Sequence, residues 1–277
     1  MNLSPHYILA IEASVKAGIA IKQIYLSKDY QIEIKADDSP VTRADKTSSA
    51  IIADMLRNTG IPVIDEEHCC PDFSIRQTWK NLWLVDPMDG TKEFISGNGE
   101  FTVNIALIED KKPIFGVIYA PVTGELYWGG KTTGSYKALN IREWLSYSSM
   151  EMLAVKLQPE KNTDNILRIA ASRSHLDKNT QSFISKLKEQ FGDVTFVSKG
   201  SSLKLCMIAE GVTDIYPRFS RTMEWDTAAG HAIASGTDAV LYRQSDLLEL
   251  EYNKEDLSNP AFFALSGFQD KKRLNYF

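Results

Sequence analysis

Residues 82–95 read Leu-Trp-Leu-Val-Asp-Pro-Met-Asp-Gly-Thr-Lys-Glu-Phe-Ile, an apolar run that passes straight into two carboxylates, Asp86 and Asp89, and then into a Gly90-Thr91 turn. Apolar neighbours hold such a strand rigid, and Pro87 fixes one backbone torsion and removes a donor, so both aspartates are expected to emerge together at the strand's carboxyl end. Two anions this close repel unless a cation lies between them; otherwise one is driven towards protonation. Further acidic positions punctuate the ends of expected elements: Asp45, the pair Glu66 and Glu67, and Asp226 after Trp225. Oxygen donors with neither His nor Cys among them select Mg2+ or Mn2+ over Zn2+. Several carboxylates suit more than one ion, since a single Mg2+ usually takes one or two and keeps several waters. A centre of this kind activates water and clamps a phosphoryl group. Asp is also a favoured helix cap, and Asp226, at the head of an Ala-rich helix, fits that role as well.

The elements that must position these groups are partly readable. Ile8, Ile11, Val15 and Ile19 recur at helical spacing, and Ile51, Ile52, Met55 and Leu56 mark a second amphipathic helix before Gly60. Between them residues 30–34 alternate weakly like a strand and residues 35–40 form a polar turn, which together predict a mobile hairpin. Residues 102–108, 113–120 and 125–128 are β-rich runs separated by turn signals, which predicts an antiparallel meander. The pattern weakens over residues 140–165, which places a boundary there. Residues 1–145 are thus expected to form an N-terminal α+β subdomain with most of the acidic cluster, and residues 146–277 a C-terminal α/β subdomain. In the second, strands at 167–171, 193–197, 213–216 and 239–242 alternate with helices at 177–191, 201–210 and 226–235, the signature of an α/β layer.

Composition narrows the function classes. With 277 residues, 43% of them hydrophobic and 24% charged, the chain can bury a full core. The apolar stretch 7–25 is broken by Glu12, Lys16 and Lys22, so it is neither a signal-peptide core nor a membrane span. No integral membrane segment and a cytoplasmic location are expected, with peripheral attachment at the inner face of the cell membrane left open. Cys69, Cys70 and Cys206 make no disulfide framework and no zinc spacing. A net charge of −5 argues against nucleic acid as a partner and leaves room for a small anionic ligand at a metal site. Nothing in the sequence sets an oligomeric state.

The segments Trp83-Leu-Val-Asp-Pro-Met-Asp-Gly-Thr91, Asp65-Glu-Glu67 and Glu224-Trp-Asp-Thr-Ala-Ala-Gly230 resemble the three signatures of the lithium-sensitive, magnesium-dependent phosphatase superfamily that includes inositol monophosphatase. Three more stretches, Ala171-Ser-Arg-Ser-His175, Gly200-Ser-Ser-Leu-Lys204 and Tyr216-Pro-Arg218, resemble its 3'(2'),5'-bisphosphate nucleotidase branch. The resemblance implies an α/β (α+β) fold, a layered αβαβα sandwich of two subdomains. It implies Glu66, Asp86, Asp89 and Asp226, with the backbone carbonyl of Met88, as ligands of two or three Mg2+ ions, and Li+ as an inhibitor that displaces one of them. Asp45 and Thr91 match the groups that orient the attacking water, with Glu67 behind the metal ligands. Asp65 departs from the family pattern, in which Gly or Ser usually precedes the glutamate pair.

For substrate binding the resemblance points to Ser172, His175, Lys199, Ser201, Lys204, Tyr216 and Arg218, with Asp226 also reaching the substrate. Taken alone, the Lys and Arg residues read sooner as surface charges and His175 as a loop or capping residue, while Tyr216 reads equally as core filling or as a partner for a base. Backbone N–H groups of Gly90 and Thr91, if they open a helix, would cradle phosphate oxygens. The implied activity is a phosphomonoester hydrolase that removes the 3'-phosphate of adenosine 3',5'-bisphosphate, giving AMP and phosphate, and acts also on 3'-phosphoadenylyl sulfate, by in-line attack of metal-activated water. An inositol monophosphatase or other small sugar-phosphate phosphatase with the same centre is the alternative. A silent binding protein would need none of Asp45, Glu67 and Thr91.

Overall fold

The computed structural model describes residues 3–35, 38–68, 70–160, 166–171 and 178–267. Two long helices open it, α1 (Pro5–Ser27) and α2 (Arg43–Leu56), with a hairpin of β1 (Glu33–Ile34) and β2 (Pro40–Val41) between them. Next come β3 (Val63–Asp65), the short α3 (Phe73–Arg76), β4 (Asn81–Asp89) and α4 (Thr91–Ser96). The meander follows as β5 (Thr102–Glu109), β6 (Lys112–Ala120), β7 (Glu125–Gly130) and β8 (Gly134–Ala138), and α5 (Tyr147–Leu153) leads into β9 (Ala154–Lys156). The rest alternates: β10 (Leu167–Ala171), α6 (Lys178–Phe191), β11 (Val194–Ser198), α7 (Leu203–Ala209), β12 (Ile215–Arg218), α8 (Glu224–Ser235) and β13 (Val240–Arg243), ending on β14 (Phe262–Leu265).

Strands β3 to β9 form a seven-stranded sheet in chain order, antiparallel except for the parallel β3/β4 pair. The five-stranded sheet runs β11-β10-β12-β14-β13. Side chains alternate across each strand, and β4 shows where its two faces lead. Trp83 and Val85 share a core with α1 and α2, whereas Leu82 and Leu84 join a second core with α7 and α8. That second core also takes Ala170, Tyr216 and Phe262 from one face of the five-stranded sheet. Its other face sets Ile169, Ile215 and Phe263 against Phe183, Ile184 and Leu187 of α6. The layers are therefore helix, sheet, helix, sheet, helix. Covering on both faces is why β4 and β5 read as near-continuous apolar runs instead of alternating ones.

The first two helices, the hairpin, the meander and most of the later alternation lie where the sequence places them. Elements β3, α3, β8, α5, β9 and β14 have no counterpart in that reading. Strand β14 matters most, because it inserts antiparallel between β12 and β13 and makes the second sheet mixed. A division of the chain at residue 145 leaves β9 on the far side from the rest of its sheet. No helix among the described residues is long and apolar enough to cross a membrane.

Helix α8 is held tightly between the sheets. A Cβ at Gly116 of β6 would lie 2.3 Å from the carbonyl oxygen of Ala229 in α8, and backbone on both sides leaves no flexible atom to give way. Gly116→Ala should lift α8 from the sheet and cost about 1–3 kcal/mol. Urea unfolding should show it as a lower midpoint at unchanged slope.

Candidate active site

Strand β4 ends on its two aspartates, where the sequence places them, and runs through Asp86 to Asp89. Asp86 pairs with Asn104 and Asp89 with Thr102, so three steps on β4 match two on β5, and the register shifts between them. Residues i and i+3 of a regular strand face opposite ways. Paired residues share a face, and Thr102 and Asn104 are two apart, so the extra residue of the bulge turns Asp86 and Asp89 to the same side. Pro87, with no N–H to give the ladder, suits the bulge. The Met88 N–H donates to Asp86 Oδ1 (3.0 Å), and Ser48 of α2 donates to the Pro87 carbonyl (2.7 Å).

The neighbouring carboxylates arrive on other elements. Because β3 runs parallel to β4, Glu66 follows it directly beside Asp86, its N–H bonded to the Val85 carbonyl (3.2 Å). Asp45 and Asp226 each occupy the third position of a helix, α2 and α8, and each accepts the cap residue's N–H, from Thr42 (2.7 Å) and Met223 (2.9 Å). Capping and the site are thus served by the same two side chains. Carboxylate oxygens of Glu66, Asp86 and Asp226 lie within 4.8 Å of one another. Asp89 borders a cavity beside them, with Ser201 donating to its Oδ2 at 2.6 Å. Asp45 Oδ1 accepts the Thr91 hydroxyl (3.1 Å), and Gly90, at φ 95°, is the residue before α4.

Burial and mutual repulsion raise the proton affinity of several of these carboxylates. Asp86, 1% exposed, is pushed well above the usual carboxylate range by burial and then by Glu66, Asp89 and Asp226. Asp226 is pushed up to about 8, by burial and then by Asp89, with the Met223 N–H opposing. Burial also raises Asp45, Glu66 and Glu67. Three convergent oxygen donors, with one lysine at Glu66 as their direct counter-charge and none of them paired with His or Cys, fit a hard divalent cation.

One counter-charge comes from a residue the sequence did not single out. Lys35, at the end of β1, reaches Glu67 Oε1 (2.6 Å) and Glu66 Oε1 (3.1 Å). Burial works to lower its pKa, but the two carboxylates outweigh that and raise it. No spacing rule links position 35 to position 66, so only the folded hairpin reveals the contact. Asp65, the departure from the family pattern, is buried and braces the loop after β3, accepting the Ser49 hydroxyl and the Glu67 N–H, both at 2.8 Å.

A cavity of about 420 Å³ opens beside Asp89 and Asp226 and is lined also by Lys204, Tyr216 and Arg218. Lys204 Nζ donates to the carbonyls of Lys199 (3.0 Å) and Ser201 (2.9 Å) and lies 5.6 Å from the Tyr216 ring centre. Burial lowers its pKa to about 8. Arg218 Nε is buried with no acceptor. Tyr216 is 7% exposed and meets Phe262 edge to face, so its ring belongs to the core as well as to the cavity wall. Lys199 contributes its carbonyl here, and Ser172 and His175 lie outside the described residues.

The inositol monophosphatase family profile matches residues 2–245. The 3'(2'),5'-bisphosphate nucleotidase CysQ of Escherichia coli (strain K12) is 42% identical over 250 residues, covering 89% of this chain and 94% of that protein. The enzyme of the same name from Buchnera aphidicola is 38% identical over 264 residues, covering 91% and 88%. Among solved structures, CysQ from Bacteroides thetaiotaomicron, a bacterial member of the inositol monophosphatase family, superposes with a TM-score of 0.86 at 43% identity, covering 95% of this chain and 97% of that one. The signature segments on β3, β4 and α8, the αβαβα layers and these matches agree, and the chain belongs to the inositol monophosphatase family.

Proposed function

We propose that the chain is a Mg2+-dependent 3'(2'),5'-bisphosphate nucleotidase that acts in the cytoplasm, removing the 3'-phosphate of adenosine 3',5'-bisphosphate to give AMP and phosphate, and acting on 3'-phosphoadenylyl sulfate as well. The observation that carries this reading is one cavity lined by side chains of both charges. Asp89 and Asp226 line it together with Lys204 and with Arg218, whose Nε is unpartnered. A substrate with a single phosphate needs only the acidic groups and the cations they would hold; a bisphosphate has a second anion for Lys204 and Arg218. The names of the CysQ relatives support the same substrate class.

In this reading Glu66, Asp86, Asp89 and Asp226, with the Met88 carbonyl, would hold two or three Mg2+ ions, and Li+ would inhibit by taking the place of one. Mg2+ bound there would supply a Lewis acid, which lowers the pKa of a coordinated water and neutralises phosphoryl charge. The chain's own groups aim the reaction. Thr91 gives its hydroxyl proton to Asp45 Oδ1 and keeps its lone pairs free to accept from a water, which fixes the water's direction. Asp45, held by Thr42 and raised in proton affinity by burial, is suited to take a proton through Thr91. Glu67 anchors Lys35 beside Glu66, and the Gly90 and Thr91 N–H groups would steady phosphate oxygens. Lys204 and Arg218 would hold the second phosphate, near the wall formed by Tyr216 and Ser201, while Lys199, Ser172 and His175 keep the roles the resemblance implies. Residues 1–145 would then carry most metal ligands and residues 146–277 the nucleotide contacts.

The test compares phosphate release from adenosine 3',5'-bisphosphate and from inositol 1-phosphate in Mg2+, in Mg2+ with Li+, and in EDTA. Nucleotide turnover should dominate, require Mg2+ and fall with Li+. Replacing Lys204 and Arg218 together by Met should cut nucleotide kcat/KM by at least about a hundredfold, as charged hydrogen bonds are worth about 1.5–3 kcal/mol each. Hydrolysis of the inositol ester should change little. A wild-type preference for the inositol ester would return both cations to a structural role and favour the sugar-phosphate alternative.

A further inference from the structure

Behind Asp89, where β5 meets the turn that leads into α7, three hydroxyls and one amide form a largely buried network. Ser201 Oγ lies 2.6 Å from Asp89 Oδ2, and Thr102 Oγ1 lies 2.6 Å from Ser201 Oγ and 2.8 Å from Ser202 Oγ. Asn104 Oδ1 is 3.0 Å from Thr102 Oγ1 and 2.8 Å from Ser202 Oγ, while Asn104 Nδ2 is buried with no partner. Thr102, Asn104 and Ser202 are 0%, 1% and 4% exposed, so bulk water cannot complete the set.

The protons decide how this network is wired. Its five contacts need five protons, and three hydroxyls bring three. The Asp89 carboxylate only accepts, so the Ser201 proton is committed to it. With the amide oxygen towards the hydroxyls, the two remaining protons must serve four contacts and a buried NH2 group donates to nothing, a costly arrangement. Oxygen and nitrogen of a side-chain amide are distinguished by their hydrogen bonds alone. Turned over, the amide nitrogen gives one proton to Thr102 and one to Ser202. Ser202 then donates to Thr102, Thr102 to Ser201, and Ser201 to Asp89. Every contact holds one proton, no hydroxyl accepts more than two, and the group left without a partner is a carbonyl oxygen, which is less costly to bury so than an N–H.

We propose that Asn104 is a positioning residue for Asp89, with its NH2 group facing Thr102 and Ser202 and a one-way hydrogen-bond line running from it through Thr102 and Ser201 to Asp89 Oδ2. The line fixes one carboxylate oxygen and leaves Oδ1 for a cation; it rests on the reading of Asp89 as a metal ligand. Ser202 is a side branch that donates into Thr102 and not towards Asp89.

Thr102→Val and Ser202→Ala each delete one buried hydroxyl, but only the first cuts the line. Isothermal titration of the whole chain with MgCl2, without substrate, should show about tenfold weaker binding for Thr102→Val, the lower end for partners of metal ligands. Ser202→Ala should stay within about twofold of wild type while losing thermal stability alongside Thr102→Val, which separates positioning from general packing. Equal Mg2+ affinities in the two variants would overturn the proposal. A second arm needs no metal: in the metal-free chain, nuclear Overhauser contacts should join the Asn104 side-chain NH2 protons to the Thr102 and Ser202 side chains, and their absence would overturn it too. Asp89→Asn isolates the underlying reading. If it binds Mg2+ like wild type, Asp89 is no ligand and the inference falls with that reading. If it binds weakly while Thr102→Val binds normally, only the inference falls.

Discussion

Asp86→Asn should abolish turnover and, in the absence of metal, make the fold more stable. Asp86 is 1% exposed and pressed by Glu66, Asp89 and Asp226 as well as by burial, so its charge is costly unless a cation shares it. Asparagine has nearly the same shape, keeps an oxygen to accept the Met88 N–H, and removes that charge. If Asp86 holds a catalytic cation, kcat/KM should fall by at least about a thousandfold, the scale of losing one well-placed electrostatic group. In EDTA the same variant should melt about 2–4 °C above wild type, the shift that about 1 kcal/mol makes in a chain of this size. Saturating Mg2+ should reverse the order, because only wild type then gains the full stabilisation of a bound ligand. An Asp86→Asn variant that keeps its activity, or melts lower in EDTA, would assign Asp86 a purely structural role.

Mg2+ affinity should rise steeply between pH 6 and 8 and flatten above. Burial and Asp89 push Asp226 from its ordinary 3.8 up to about 8, so the metal-free folded chain carries a proton that the unfolded chain has lost. The associated stability is fully present below about pH 4 and disappears as pH rises through about 8. A cation taking that carboxylate must expel the proton, which makes apparent affinity climb about tenfold per pH unit for each proton released. Glu66 and Asp86, raised in the same direction, steepen the dependence. Calorimetric titrations in buffers of different ionisation enthalpy count the protons directly. Asp226→Asn should release at least one fewer, and pH-independent binding by wild type over this range would contradict the raised proton affinity.

Ligand chemistry was legible because it is written in residue types: Asp86, Asp89, Glu66 and Asp226 offer only hard oxygens, whatever the fold. The positions of Asp45 and Asp226 near helix starts were partly legible too, since their capping of Thr42 and Met223 is local. Strand β14 and the three-residue β9 were not, because short strands take their identity from the neighbours they pair with. Lys35 illustrates the same limit at the site. Its side chain looks like any exposed lysine until the hairpin carries it to Glu66 and Glu67.

By itself the sequence determined which atoms are available to hold a cation and which segments are stiff enough to present them, since both depend on residues near one another along the chain. Tertiary structure decided which of those atoms meet. A regular strand would have turned Asp86 and Asp89 apart, and only the register shift against β5 brings them to one side. Asp226 is more than a hundred residues from either, and it reaches Glu66 and Asp86 only because Gly116 lets α8 lie close against the sheet. Convergence of like charges is unfavourable on its own, so no local preference encodes it; the packing energy of two cores holds the carboxylates together.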